Sequence, residues 1–206
     1  MMDYVSFQQE WHPFGCFSTR QIQGVHPGFN RSNLLNWQRA GYIVPLRQQW
    51  YAFADCLRQP DFARYVAGQI YAPSYISLHS ALAAYDIIPE AVATVTSVAT
   101  RRTMLFDNVL GHFTYQTIRP NLFFGYEMKR MIDGRCYAMA TPEKALLDLL
   151  YLYPEYRTAD DMADLRLDEA FLHEELDRER LMDFAGRMGS KALNVRLQTL
   201  MNTYAL

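Results

Sequence analysis

The stretch STRQIQGVHPGFNRSNLLNWQRAGYIVPLRQQWYAF, Ser18–Phe53, decides the fold of the first part of the chain. Ser18 carries a short side-chain oxygen suited to capping a helix, and a short helix over residues 19–24 follows it. His26-Pro27-Gly28 makes a turn. A longer helix over residues 30–40 ends at Gly41, a residue that tolerates the left-handed conformation common just past a helix. Tyr42-Ile43-Val44 and Trp50-Tyr51-Ala52-Phe53 are rich in β-branched and aromatic residues, and residues 45–49 connect them as a hairpin. Upstream, residues 4–11 read as a helix that Pro13 and Gly15 stop. Three helices and a β-hairpin in under sixty residues are the order of a winged helix-turn-helix, expected here over residues 1–57.

An α-helix fits the major groove of DNA, and its outward face reads base edges. In the third helix, Leu34 and Trp37 form the stripe that packs on the first two helices, with Leu35 widening it. The opposite face then holds Ser32, Asn33 and Asn36, with Arg39 at its edge and Arg31 near the N-terminus. Asparagine pairs bidentately with adenine, and arginine with guanine or phosphate. Arg20 in the second helix, and Arg47 with Gln48 and Gln49 at the hairpin tip, are placed to meet phosphates.

Gln59-Pro60-Asp61 marks a boundary, and residues 58–206 are expected to form an α+β domain. Helices are expected over residues 61–68 and from Ser77 to before Pro89. Residues 92–99, 113–118, 123–131 and 135–140 read as strands of a small, mainly antiparallel sheet, with Asp133-Gly134 as a tight turn. Thr141-Pro142-Glu143-Lys144 opens a helix: Thr141 caps, Pro142 takes the first helical position, and Glu143 faces the positive helix end. After Pro154 the chain reads as helical, over residues 159–165, 168–176, 178–188 and 191–204.

Composition excludes several classes. About half the 206 residues are hydrophobic and a fifth are charged, as in ordinary folded domains. No apolar run approaches the roughly 18–20 residues that span a bilayer, and the start lacks the basic and apolar regions of a signal peptide. Cys16, Cys56 and Cys136 are odd in number and far apart. That argues against a disulfide framework and for a reducing cytoplasm. Neither the cysteines nor the five histidines show metal-ligand spacing, and no cofactor is expected.

The net charge of −2 is unevenly placed. In residues 1–58, Arg20, Arg31, Arg39, Arg47 and Arg58 stand against Asp3, Glu10 and Asp55, a balance of +2. In residues 155–183 eleven acids face four arginines, a balance of −7. The acidic stretch, with Asp160, Asp161 and Asp164, is either a solvated helix face or a contact for a basic partner. Arg101 and Arg102, adjacent at a strand end, point to opposite faces. They are candidates for contacting DNA or a partner, or for fixing Asp107 and the acidic helices.

Enzyme chemistry is not expected. A restriction-type nuclease needs an acid followed by Glu-x-Lys on a strand to hold a metal. Here Glu143 and Lys144 are adjacent and open a helix, where Lys144 pairs with Asp148 four residues on. There is no glycine-rich phosphate loop and no Gly-x-Ser-x-Gly elbow. His79 and His112 read as satisfied structural histidines.

Several blocks carry a family resemblance: Leu34–Val44 with Trp50-Tyr-Ala-Phe, Tyr75-Ile-Ser-Leu-His-Ser-Ala-Leu, Ser97-Val-Ala-Thr-Arg-Arg-Thr, Gly111-His-Phe-Thr-Tyr, and Ala140-Thr-Pro-Glu-Lys-Ala-Leu-Leu-Asp. From about residue 18 to the end, the sequence resembles the AbiEi family of type IV antitoxins, transcriptional regulators of viral defence (abortive infection) systems. The resemblance implies a repressor that binds double-stranded operator DNA of its own operon. It further implies neutralisation of a co-encoded nucleotidyltransferase-like toxin by the C-terminal part. The rival expectation is a protein-interaction module whose winged helix does not bind DNA.

Overall fold

The computed structural model describes residues 2–89 and 92–206; Met1, Glu90 and Ala91 lie outside it. The first part consists of helices α1 (Tyr4–Trp11), α2 (Thr19–Val25) and α3 (Ser32–Arg39), and strands β1 (Cys16–Ser18), β2 (Ile43–Arg47) and β3 (Trp50–Phe53). The strands form an antiparallel sheet in the order β1-β3-β2. The hairpin is tighter than the sequence suggests. Pro45, Leu46 and Arg47 belong to β2, and only Gln48 and Gln49 remain as the turn. Proline is tolerated there because β2 is an edge strand, where its missing N–H breaks no ladder.

Local chemistry accounts for the helix limits. Asp3 caps α1 by accepting from the Ser6 amide at 2.8 Å. Ser18 and Gln21 form a capping box at the start of α2. After α3 the chain turns at Gly41, with φ at 76°. Phe7, Phe17, Trp37 and Phe53 interlock beneath these elements. Ring centroids lie 4.6 Å apart for Phe7–Trp37 and 5.0 Å for Phe7–Phe17. All four rings are buried, and aromatic side chains are the largest apolar groups a core can hold.

The remainder is α+β. After a 3-10 turn at Ala54–Arg58 come α4 (Phe62–Ile70), β4 (Ser74–Ile76), α5 (Leu78–Ala84), β5 (Thr94–Ala99), β6 (Met104–Asn108), β7 (Gly111–Thr117), β8 (Tyr126–Arg130) and β9 (Cys136–Ala140). Then follow α6 (Pro142–Leu152), α7 (Ala159–Ala163), α8 (Glu169–Glu174), α9 (Arg178–Met188) and α10 (Lys191–Thr203). The sheet is larger than expected and mixed, although antiparallel pairings (β4–β5, β6–β7 and β8–β9) outnumber the parallel ones. It has six strands in the order β6-β7-β5-β4-β9-β8, and the β5–β7 and β4–β9 pairings are parallel. Strands β4 and β6 were not legible, and they complete the sheet.

Helix α6 is the centre of this part. Leu146, Leu147, Leu149 and Leu150 are all fully buried, because α5, α9 and α10 cover it from several sides. Each such leucine contributes about 1.5–3 kcal/mol of burial. Among the described residues, no helix is long and apolar enough to cross a membrane.

Candidate functional site

On α3, burial follows the 100° spacing. Leu34 and Trp37 face inward, and Ser32, Leu35, Asn36 and Arg39 are exposed. Leu35 therefore departs from the expected packing stripe. It is 49 % exposed and stands beside Asn36 and Arg39 on the outward side. Asn33 departs the other way. It sits on the flank, half-buried, and its side-chain nitrogen donates to the Met2 carbonyl at 3.2 Å. Among the described residues, the side chains of Ser32, Asn36 and Arg39 hold no intramolecular hydrogen bond or ion pair. Arg31 is exposed but donates to Gln23 Oε1 at 2.8 Å.

Arg20 is exposed on α2, and Gln48 is exposed at the hairpin turn with φ at 41°. Gln49 is tied down because its Oε1 accepts from Thr19 Oγ1 at 2.8 Å. Arg47 does not project outward. Its guanidinium carbon lies 4.5 Å from the Phe106 ring centroid, and Nη2 is 3.0 Å from Met104 Sδ. Both partners are on β6, so the hairpin is docked against the edge of the second sheet. Of the four arginines expected on one DNA-facing surface, Arg20, Arg31 and Arg39 are exposed, whereas Arg47 is engaged within the chain.

Arg101 and Arg102 lie in the turn after β5. Arg101 donates to the Ala72 carbonyl at 3.2 Å and covers the Tyr71 ring at 4.8 Å. Arg102 is exposed. Neither is ion-paired to Asp107, which is bound by His112 Nδ1 at 2.6 Å. The acids near α7 divide into distinct roles. Asp161 closes a capping box with Thr158, and accepting the Thr158 and Arg157 amides holds its carboxyl below the usual range. Asp160 and Asp164 are exposed. Asp164 also borders a cleft with His79, Tyr153 and Tyr156.

The segment from Glu143 to Asp148 holds a feature that the sequence reading undervalued. Lys144 and Asp148 are fully buried and paired with each other; neither is a surface residue. Tyr75 Oη and Ser77 Oγ both donate to Asp148 Oδ2, at 2.9 and 2.8 Å, and Lys144 Nζ donates to Tyr75 Oη at 2.9 Å. Burial lowers the Lys144 pKa and raises that of Asp148, against the mutual attraction of the pair. Glu143 is also buried and accepts from the Asp177 amide at 3.2 Å, so it joins α6 to the start of α9. Nothing in this cluster is open to a substrate.

The fold also gathers potential metal ligands that spacing alone did not reveal. His12 Nε2 is 2.8 Å from Asp55 Oδ2 and 3.9 Å from Cys56 Sγ, although 43 residues separate His12 from Asp55. Comparison with protein families finds none that matches the chain, and comparison with curated proteins finds none similar to it.

Proposed function

We propose that residues 1–57 form a winged helix-turn-helix that binds double-stranded DNA, and that the protein is a transcriptional regulator of the AbiEi antitoxin kind. The observation carrying this reading is the outward side of α3, where Ser32, Asn36 and Arg39 are exposed and have no partner among the described residues. A helix set this way presents amide, hydroxyl and guanidinium groups to base edges, and Leu35 offers an apolar contact for a thymine methyl group. Arg20 and Gln48 flank it and suit the phosphate backbone. Residues 58–206 would form the regulatory and antitoxin part, acting on a nucleotidyltransferase-like toxin through the exposed acids near α7. The closed Lys144–Asp148 cluster plays a structural part in this reading, since no outside molecule reaches it.

Footprinting upstream of the protein's own gene, followed by binding titrations with Asn36→Ala and Arg39→Ala, tests the DNA reading. Each substitution should weaken specific binding by about 1–3 kcal/mol with the fold intact. Unchanged binding in the double variant would remove α3 as the reading helix. The docking of Arg47 on Phe106 specifically favours the second reading, a protein-interaction module, because it withdraws a cation from the hairpin tip. No binding to the upstream DNA and no footprint would favour that module.

A further inference from the structure

We propose that His12, Asp55 and Cys56 form a site for a divalent transition metal of the zinc class, at the junction between the first three helices and α4. An imidazole nitrogen, a thiolate and a carboxylate oxygen are the donor types that zinc takes. The three ligand atoms lie within 4.8 Å of one another, so a single ion placed between them reaches all three with small side-chain rotations. Two short segments supply them. His12 opens the 3-10 turn after α1, and Asp55 and Cys56 sit on the 3-10 turn after β3. The Phe53 ring, 5.0 Å from the imidazole centroid, steadies His12. Cys56 is buried whereas Asp55 is 63 % exposed, so the site opens toward solvent and a water completes four-coordination.

A second observation concerns the surroundings of the sulfur, where burial raises the Cys56 thiol pKa and Arg135 opposes that shift, so the metal itself must displace the proton. Arg135 lies beside Cys56, its side chain is only 10 % exposed, and its Nη1 is buried without an acceptor. Its other nitrogens are taken by Asp133 and Gln59. A metal-bound sulfur carries lone pairs that this orphan donor suits, as outer partners of metal ligands commonly do. The charges balance: a dication and Arg135 against the Cys56 thiolate, Asp55 and Asp133. Binding is a simple exchange. The Cys56 proton leaves to solvent as the metal–sulfur bond forms; the proton that His12 Nε2 shares with Asp55 is also lost from that nitrogen, to Nδ1 of the neutral ring or to solvent, and the freed Nε2 lone pair bonds the metal. No electron transfer is involved.

The test is a cobalt(II) titration of the full chain followed by absorption, then displacement by zinc(II). A saturable thiolate-to-cobalt charge-transfer band with visible bands of four-coordinate intensity is expected. Cys56→Ala should abolish the charge-transfer band, and Cys136→Ser should keep it. Because Cys56 is in the core, Asp55→Asn and His12→Gln provide tests that leave the core untouched. Each should weaken zinc binding by more than about tenfold, the loss that even outer partners cause. Absence of a saturable band, a band surviving Cys56→Ala, or unchanged affinity in both the Asp55 and the His12 variants would overturn the site and leave an ordinary His12–Asp55 hydrogen bond.

Discussion

The Arg47 guanidinium stacks on the Phe106 ring at 4.5 Å, which fastens the β2–β3 hairpin to the edge strand β6 of the six-stranded sheet. With Arg47 held there, Arg47→Ala should leave the salt dependence of DNA binding unchanged. It should cost about 0.5–1 kcal/mol of stability, the worth of an exposed cation–π contact. Titrations at several salt concentrations and urea melts measure both. A salt slope lower by about one unit would show instead that Arg47 leaves Phe106 to meet a phosphate.

Asn33 and Asn36 are three residues apart on α3 and should behave differently. Asn36 is exposed and unengaged, whereas the Asn33 amide is committed to the Met2 carbonyl. Asn36→Ala should therefore cost specific affinity and little stability. Asn33→Ala should lower stability by about 0.5–1.5 kcal/mol, the usual worth of one hydrogen bond, with a smaller effect on specificity. Equal losses of sequence preference would place both amides in the groove.

What the sequence revealed and what it hid divide along physical lines. Helix α6 was legible to the residue at its start because Thr141 and Pro142 are local signals, and α9 was equally legible. Strands β1 and β4 have three residues each, too few to show an alternating period. Their place is fixed by partners distant in sequence, such as β1 against β3. The outward face of α3 followed from periodicity, yet Leu35 and Asn33 were misplaced because a coarse stripe does not locate the flanks. Where Arg47 and the His12–Asp55–Cys56 group end up depends on contacts 43 or more residues away, which no spacing rule encodes.

Lys144 and Asp148 should be the most sensitive polar positions in the core. Replacing Lys144 by Met leaves Asp148 buried with hydroxyl donors alone, and breaking such a pair from one side costs about 3–5 kcal/mol. Against a total stability of about 5–15 kcal/mol, this is a severe loss. Asp148→Asn keeps an acceptor for Tyr75 and Ser77 and should cost less. Urea denaturation of the two variants compares them directly; a loss below about 1 kcal/mol for Lys144→Met would show that the site accommodates a lone carboxyl.

Acid should weaken the fold in part through Asp133. The Arg135 hydrogen bond holds its carboxyl below the ordinary value of 3.8. The unfolded chain therefore binds more protons than the folded one as pH falls through this range. The stabilisation is present above about pH 4 and is lost as pH drops through the lower folded value. Asp133→Asn should flatten this portion of the acid limb, seen as a smaller change in urea midpoint between pH 5 and pH 2 (values of about that range follow from ordinary carboxyl titration). Parallel limbs for the two proteins would assign the acid loss to other carboxylates, of which Asp3 and Asp161 are also held low.

The antitoxin reading makes a separable prediction about the acids near α7. Asp161 closes the capping box with Thr158, so Asp161→Ala should lower stability whatever the partner. Asp160 and Asp164 have no such duty and point to solvent. A basic toxin surface would be steered by them, and complementary charge acts chiefly on the rate of encounter. Asp160→Asn with Asp164→Asn should then slow association with the co-encoded toxin and reduce its salt dependence, while leaving the melting temperature and DNA binding unchanged. Stopped-flow association across a range of salt concentrations, with toxin rescue in cells beside it, reads this out. Unaltered rates and full rescue would mean that these acids only solvate the helix, and that any toxin contact lies elsewhere on residues 58–206.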